Sequence, residues 1–528
     1  MRTIMLFGAL FLILLTSPLQ TIAQFQNILI SSSNFPNEPS IAFDPKDVGK
    51  MVAGANTNNV YISTDTGRTW QVGTLSSTYG VWGDPNIIAD TAGDFYFFHL
   101  SAPSNSPFSP DWIDRIVCQK MTGVSGVWNN GSYMGLNGSK EQDKEWVTVD
   151  RQNNNIYVSW TQFDNYGSAD PADSSLILFS RSIDNGGTWS SPVRLSRKAG
   201  DCIDSDSTVE GATPCIGANG EVFVAWAGPE GIFVDRSLDH GITWLDQDIF
   251  VTSMPGGWDY DVPGINRTNG LPFIASDLSG GPHHGTIYIN WTDQRNGSHN
   301  TDVFICKSTD GGNTWSAPFK VNTDNIAAHQ FYSSIAVDQL TGYIYIVFYD
   351  RRHHTDNHTD VFLAYSTDGG QSFENKQISS SPFLPYSQAF FGDYTSIAAH
   401  GKVIRPIWGR TDGMYQSIWT ADIDTTSLFA APAFIPEVRV EVDEVYPNPF
   451  HESSYISFKL KQTTRVTLTV CDVFGRVVAT VISNEDLQPG KYVRQFDPGQ
   501  SGMPPGVYFF NLHAGDRHVS RKILYANQ

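Results

Sequence analysis

The chain of 528 residues is poor in several things, and each scarcity narrows what it can be. Charged residues make up 17%, and the basic ones are the minority: 34 Lys and Arg against 54 Asp and Glu, a net charge of −20. No basic cluster interrupts that balance, which argues against a nucleic-acid partner. Cysteine is scarce, with five residues at Cys118, Cys202, Cys215, Cys306 and Cys471. Cys202 and Cys215 bracket a short polar loop at a spacing compatible with one disulfide, and the other three sit in strand-like contexts as buried thiols. Long helical periodicity is missing, so with 46 Gly and 13% aromatic residues the composition fits an all-β protein rich in turns. There is no phosphate-cradling Gly loop and no Gly-x-Ser-x-Gly elbow. The apolar run at residues 4–15 follows Arg2 and leads to Ser17-Pro18 and a small-residue exit at Ala23. It is short for a bilayer span, so residues 1–23 read as a secretory signal and the mature chain as lacking a transmembrane span.

One eight-residue frame is abundant. Residues 308–315 read Ser-Thr-Asp-Gly-Gly-Asn-Thr-Trp, and Ser-x-Asp-x-Gly-x-Thr-Trp returns at 63–70, 182–189 and 237–244, then at 366–373 ending Ser-Phe. An Asp side chain accepts from nearby backbone N–H groups, and Gly takes the positive φ of a tight hairpin. The Thr and Trp suit the start of an outer strand, with the indole under the turn. Repeats of this kind organise the whole chain. These turns resemble the Asp boxes, or BNR repeats, of the sialidase-type β-propellers. The resemblance implies that each box joins the third and fourth strands of a blade, away from the active face, and so concerns fold rather than chemistry.

Strand signals precede each box in the same order: a short inner run, a longer apolar run, a polar loop and a third run into the box. With the strand after the Trp, each unit has the four strands of a propeller blade. The first two boxes lie about twice as far apart as later neighbours, so one blade lacks a box, and a last unit follows residue 395 without a fourth strand. Residues 25–31 are a suitable closing strand. The expectation is a β-propeller over 24–424 with seven blades, six being the alternative, a linker at 425–444, and a small Ig-like β-sandwich at 445–528.

That last module carries Tyr446-Pro447-Asn448-Pro449-Phe450, Asp472-Val473-Phe474-Gly475-Arg476 and Pro505-Gly506-Val507-Tyr508. It resembles the C-terminal sorting domain of the type IX secretion system of Bacteroidetes, departing from it at Cys471, where that family commonly has Tyr. The resemblance implies the type IX machinery as a partner and a secreted or cell-surface location, reached through periplasm and outer membrane.

Chemistry is expected on the face opposite the boxes, where loops run into the first strands and join the second to the third. Candidate acid/base groups and nucleophile are Asp84, Glu145, Glu210, Asp393 and Tyr394, all at the starts of inner strands. Candidate substrate-binding groups are Arg295, Arg352 and Arg410 with Asp293 and Asp350, at the ends of second strands; three guanidiniums could clamp an anionic sugar. The bland alternative is that strand-end Asp and Arg pair with each other. The sialidase Arg-Ile-Pro motif is absent; Ile404-Arg405-Pro406 is not a match. Asp201, Asp204, Asp206 and Glu210 form an oxygen-rich loop that could hold structural Ca²⁺, no other cofactor being expected. His353, His354 and His358 share one polar loop. The expected function is a secreted hydrolase resembling exo-α-sialidases, cleaving acidic sugars from extracellular glycans. The alternatives are a non-catalytic surface propeller that binds glycans or proteins, and a polysaccharide lyase on uronic-acid polymers.

Overall fold

The computed structural model describes residues 25–429, 440–442, 445–461, 463–514 and 517–526; the expected signal segment and most of the expected linker lie outside them. The chain divides into two compact units, Met1–Phe429 and Ala430–Gln528.

Among the described residues, the first unit is built from seven four-stranded antiparallel sheets. Six are consecutive in sequence, and their first strands are Ser40–Asp44, Gly83–Ala89, Glu141–Val149, Glu210–Ile216, Phe273–Ser276 and Gln330–Val337. The seventh runs Ser396–His400, Val403–Asp412, Tyr415–Asp424 and then Gln26–Ser31, so the first strand of the chain completes the last sheet. First strands of successive sheets touch one another, and that of the seventh touches that of the first, closing a ring. All seven line one central cavity of about 340 Å³. This is the arrangement of a β-propeller.

The second strands explain the stacking. Ile156–Phe163, Val222–Gly228 and Ile344–Asp350 are buried along their whole length, because each lies between two neighbouring sheets and must be apolar on both faces. Side chains also bridge adjacent sheets. The Ser159 hydroxyl donates to the Ala212 carbonyl (2.7 Å) and the Thr213 hydroxyl to that of Pro272 (3.1 Å).

Each of the five repeated turns joins the third strand of a sheet to the fourth. In the turn at 308–315, Asp310 accepts from the Thr314 amide (3.0 Å) and hydroxyl (2.6 Å), and the Gly312 amide donates to Ser308 Oγ (2.9 Å). The turn at 366–373 repeats this with Ser372 in place of Thr, which is why Ser-Phe serves there. Gln330, at the start of an inner strand, pairs with Asp350, whereas Ser366 pairs with Ile344 at the sheet's other end. The turns and the starts of the inner strands therefore occupy opposite rims.

Two expectations change. Thr425–Phe429, expected as linker, is a short helix: Asp424 accepts from the Ser427 amide at 2.6 Å, Leu428 is buried, and Phe429 packs on Tyr343 and Tyr365. Cys202 and Cys215 are free, buried thiols rather than a disulfide. Cys215 lies within an inner strand and belongs to a core with Phe223, Trp258 and Ile274, so its thiol is committed to packing.

The second unit has a three-stranded sheet (Val440–Val442, Ser454–Leu460, Gly490–Phe496) and a four-stranded one, in order Val477–Leu487, Thr464–Cys471, Gly506–Ala514 and Arg517–Tyr525. They share one core that includes Phe450, Phe458, Leu468 and Phe510, so this unit is a β-sandwich. Among the described residues no helix is long and apolar enough to cross a membrane.

Candidate functional site at the mouth of the ring

The rim opposite the repeated turns is irregular where the inner strands begin. Antiparallel register shifts between Gly83 and Asn86, Asp143 and Trp146, Glu210 and Thr213, and Phe331 and Ser334. Glu38, Asp84, Lys144 and Tyr332 hold φ near +50° there. Non-glycine residues in this region cost on the order of 1–3 kcal/mol each. A bulge re-aims side chains, and these carry polar groups from several sheets to the mouth.

Seven carboxyl groups and two cations meet there. Lys144 Nζ lies 3.1 Å from Asp393, 3.6 Å from Asp143 and 3.8 Å from Glu210. Arg267 forks onto Asp393, with Nε donating to Oδ1 at 3.0 Å and Nη2 to Oδ2; its Nη1 donates to Asp204 at 3.1 Å. Asp204 also accepts from the Tyr166 hydroxyl at 2.5 Å. Glu38 accepts from the Asn56 amide group and, at 3.0 Å, from the Asp393 backbone N–H. Glu145 and Glu210 are buried, and neither carboxyl has a hydrogen-bond partner among the described residues.

These surroundings split the carboxyls into two sets. Burial alone would raise Asp393, but Arg267 and Lys144 outweigh it and hold the group below the usual range. Burial likewise opposes ionisation of Asp204, and Lys144, Arg267 and the Tyr166 hydroxyl overcome it, bringing it to about 2. The other set goes the opposite way. Burial, then Asp84, pushes Glu38 and Glu145 well up; burial, then Asp204, does so for Glu210. Asp143 is raised by burial, against the pull of Lys144, to about 7. Lys144 stays protonated because Asp143, Asp393 and Glu210 outweigh its desolvation. Carboxyls whose environments drive them apart in this way divide naturally into proton donors and permanent anions.

The cluster opens to solvent through a cleft of about 160 Å³. Its polar lining includes Glu38, Asp84, Asp143, Lys144 and Arg267, and its apolar walls are Trp82, Trp112, Tyr166 and Phe390. The Arg267 guanidinium lies over the Phe390 ring, 5.3 Å from its centroid.

Of the sequence candidates, Asp84, Glu145, Glu210, Asp393 and Tyr394 belong to this mouth. Asp84 lines the cleft; Tyr394 is buried, edge-on to Trp146 at 4.9 Å, and its hydroxyl is raised by burial and by Asp84, Glu38 and Glu145. Arg295, Arg352 and Arg410 do not join it. Arg295 donates to Asp293 (2.9 Å from Nε) and lies over Phe304. Arg352 donates to Asp350 (2.8 Å) and lies over Phe362. Arg410 donates to Asp412 (2.7 Å). The physical reason is local: each Arg and Asp are two residues apart at the end of a strand, so they share a face and neutralise one another. Asp293 and Asp350 are thereby used up; Asp293 also accepts from the Trp291 indole, and Asp350 from Gln330.

The acidic loop does not gather around one point. Asp201 accepts from Thr208, Asp204 from Arg267 and Tyr166, and Asp206 from the Asp259 amide, while Glu210 turns to Lys144. His354 and His358 contact Asp360 and Asp356, carboxylates of their own neighbourhood. Sequence reasoning missed Arg267, Asp143 and Tyr166. Arg267 lies in the long segment after Ile249–Thr252, ahead of Phe273–Ser276; a connection that long inside a regular repeat was the available signal.

No curated protein matches the chain. Solved structures similar to it include Hadza microbial sialidase Hz136 (15% identity, 71% of this chain and 73% of that one, TM-score 0.39). A Trypanosoma rangeli sialidase in complex with sialic acid shows 13% identity, 87% and 85% coverage, and TM-score 0.40. An ulvan lyase, a polysaccharide lyase bound to -[GlcA(1-4)Rha3S]-, shows 13%, 77% and 96%, and 0.42. Residues 444–526 match the secretion system C-terminal sorting domain. The C-terminal segment thus belongs to the type IX secretion sorting-domain family, and the chain is one exported to the cell surface or secreted.

Proposed function

We propose that the first unit is a seven-bladed, Asp-box β-propeller acting as a glycan hydrolase on acidic sugars, that the second is an Ig-like sorting module, and that residues 1–23 are a signal peptide. The observation that carries the activity is the split among the mouth carboxyls. Asp143, about 7, reaches the cleft beside Lys144 and Arg267, while Asp393 stays ionised behind them. Aromatic walls bind the faces of a sugar ring, and a few polar groups fix its orientation. Asp143 Oδ–H donates its proton to the glycosidic oxygen as the bond to the anomeric carbon breaks, and a water molecule then adds to that carbon and returns a proton to Asp143. The ionised Asp393 and Asp204 stabilise the positive charge that develops on the ring. Lys144 and Arg267 orient an acidic substituent; Arg267 has five N–H groups and gives three to Asp393 and Asp204.

A second reading is binding without turnover. It is favoured by the fact that both cations at the mouth are already paired within the protein.

The test is to assay the purified chain on a 4-methylumbelliferyl sialoside and, for unsaturated products, on uronic-acid polymers. Turnover of the sialoside that Asp143→Asn lowers by about 10²-fold or more supports the hydrolase. Unsaturated product would point to the lyase. Glycan binding with no turnover on either substrate would leave the binding reading.

A further inference from the structure

The central cavity of the ring has a lining unlike that of the mouth. Its walls are apolar side chains of the inner strands, and Arg151 is the one charged residue among the described residues that line it. Ala42, Val147, Ala275, Ile335 and Ala336 are only half-buried, although they lie on the innermost strands. They face open space where a packed core would give each an apolar partner.

Aromatic rings close this space toward the mouth. Trp146 of the third sheet packs edge-on against Phe273 of the fifth (4.8 Å between centroids) and against Tyr394, which leads into the seventh (4.9 Å). Those sheets are not neighbours, so the three rings meet across the axis of the ring. Trp146 and Phe273 precede the lining residues Val147 and Ile274 on strands that begin at the mouth. The rings therefore stop the cavity on that side, and its other end opens on the rim of the repeated turns.

Arg151 stands at the open end. It follows Val149, which pairs with Ile156, and Ile156 pairs with Ser182, where a repeated turn begins. Arg151 is exposed, and its guanidinium makes no hydrogen bond or ion pair among the described residues. Carboxylates that end inner strands on this rim are occupied. Asp150 accepts from the Gln152 amide (2.8 Å) and Asn153 (2.7 Å), and Asp338 from the Leu340 amide (3.0 Å) and the Thr341 hydroxyl (2.7 Å). His400 ends the seventh inner strand, its ring 5.5 Å from that of Phe43, which lines the cavity. Its Nδ1 is buried with no hydrogen-bond partner among the described residues. Burial, and then the Arg151 charge, hold the imidazole below its ordinary value against the pull of Asp338, so Arg151 and His400 lie within electrostatic reach.

An apolar space closed at one end, with an unpaired cation and an unpaired imidazole nitrogen at the other, is complementary to an amphipathic anion. We infer that the central cavity binds a linear aliphatic carboxylate, its alkyl chain along the inner strands and its carboxylate on Arg151, where His400 Nδ1–H can add a bond. The cavity, about 340 Å³, falls within the roughly 300–1,000 Å³ of small-molecule sites. This site is separate from the cleft and does not depend on turnover there.

Titration calorimetry on the full chain tests it, with octanoate, decanoate and dodecanoate below their micellar concentrations. Dodecan-1-ol and dodecyltrimethylammonium are the neutral and cationic controls. The variants are Arg151→Gln, at an exposed position, and Ala336→Phe, which narrows the cavity. Dodecanoate is expected to bind once per chain, with affinity falling about fourfold for each methylene removed. Arg151→Gln should weaken dodecanoate about tenfold and leave dodecan-1-ol unchanged, whereas Ala336→Phe should weaken both. The cationic control should not compete. Failure of dodecanoate to bind the unmodified chain overturns the site. So does binding that neither variant alters, which puts the ligand elsewhere, or equal binding of acid and alcohol with no effect of Arg151→Gln, which removes the role of charge. Should Ala336→Phe fail to fold, as judged by its Tm, the chain-length series and Arg151→Gln still decide.

Discussion

Two kinds of arginine–aspartate pair occupy the same rim of the ring. Arg352 meets Asp350 two residues earlier, Arg295 meets Asp293 in the same way, and Arg410 meets Asp412 two residues later. Arg267 instead meets Asp393, 126 residues away, from a connection that belongs to no strand. The local pairs recur in three consecutive sheets as a way of finishing a strand. Bringing their ends together closes almost no loop, so little chain entropy is spent. The long-range pair exists only once several sheets have assembled, and it holds an aspartate whose side chain is 1% exposed. Charge at a strand end therefore says little about function; charge delivered across the ring marks the site.

That contrast can be broken or sharpened by mutation. The largest effect is expected for Arg267→Ala, which leaves buried Asp393 with Lys144 alone; breaking a fully buried pair costs about 3–5 kcal/mol, and because Arg267 is 35% exposed and Lys144 stays in place the expected cost falls below that range. Denaturant unfolding would measure it, and a cost no greater than that of Arg410→Ala would erase the distinction. Glu145→Gln is expected to act in the other direction. Burial and Asp84 raise the Glu145 carboxyl above its ordinary 4.5, so the folded chain holds a proton that the unfolded chain releases. Wild-type stability therefore falls as pH rises above about 4.5, and the glutamine variant escapes that fall. A stability gain growing from pH 4 to pH 8, on the order of 1 kcal/mol, is the expected outcome; a gain independent of pH would contradict the assignment.

On the opposite rim, Asp368→Ala should lower Tm modestly. Burial opposes ionisation of Asp368, but bonds from Ser372 and Ser366 outweigh it and hold the carboxyl at about 2. Its contribution is present above pH 4 and lost as pH falls toward 2, so the gap between wild type and variant should close in that window. Arg410→Ala should be the mildest change, below about 1 kcal/mol, because its partner Asp412 is half exposed and is left in water rather than buried. A double-mutant cycle with Asp412→Ala checks that value.

Much of the scaffold was legible because its signals are local. The repeated turn fixes a hairpin through bonds spanning at most four residues, from Asp310 to Thr314 and from Ser308 to Gly312. Apolar runs such as Ile344–Asp350 follow from burial on both faces. The inner-strand starts of the candidate site, Asp84, Glu145, Glu210, Asp393 and Tyr394, could be found because they hold equivalent places in successive units. Arg295, Arg352 and Arg410 looked equally repetitive, and that was the difficulty, since their partners stood two residues away and satisfied them. Arg267 broke the repeat and so left no pattern to follow.

By itself the sequence determined the turns, the strand order, the closing strand at Gln26–Ser31 and the C-terminal sorting segment, because each depends on neighbours within a few residues or on a repeated frame. The tertiary structure decided which charges meet. Bulges at the inner-strand starts turn Asp84 and Lys144 toward the mouth, and ring closure brings Asp393 to Arg267. Whether a carboxyl is a proton donor or a fixed anion depends on its burial and on charges from other sheets, and neither exists until the ring is complete.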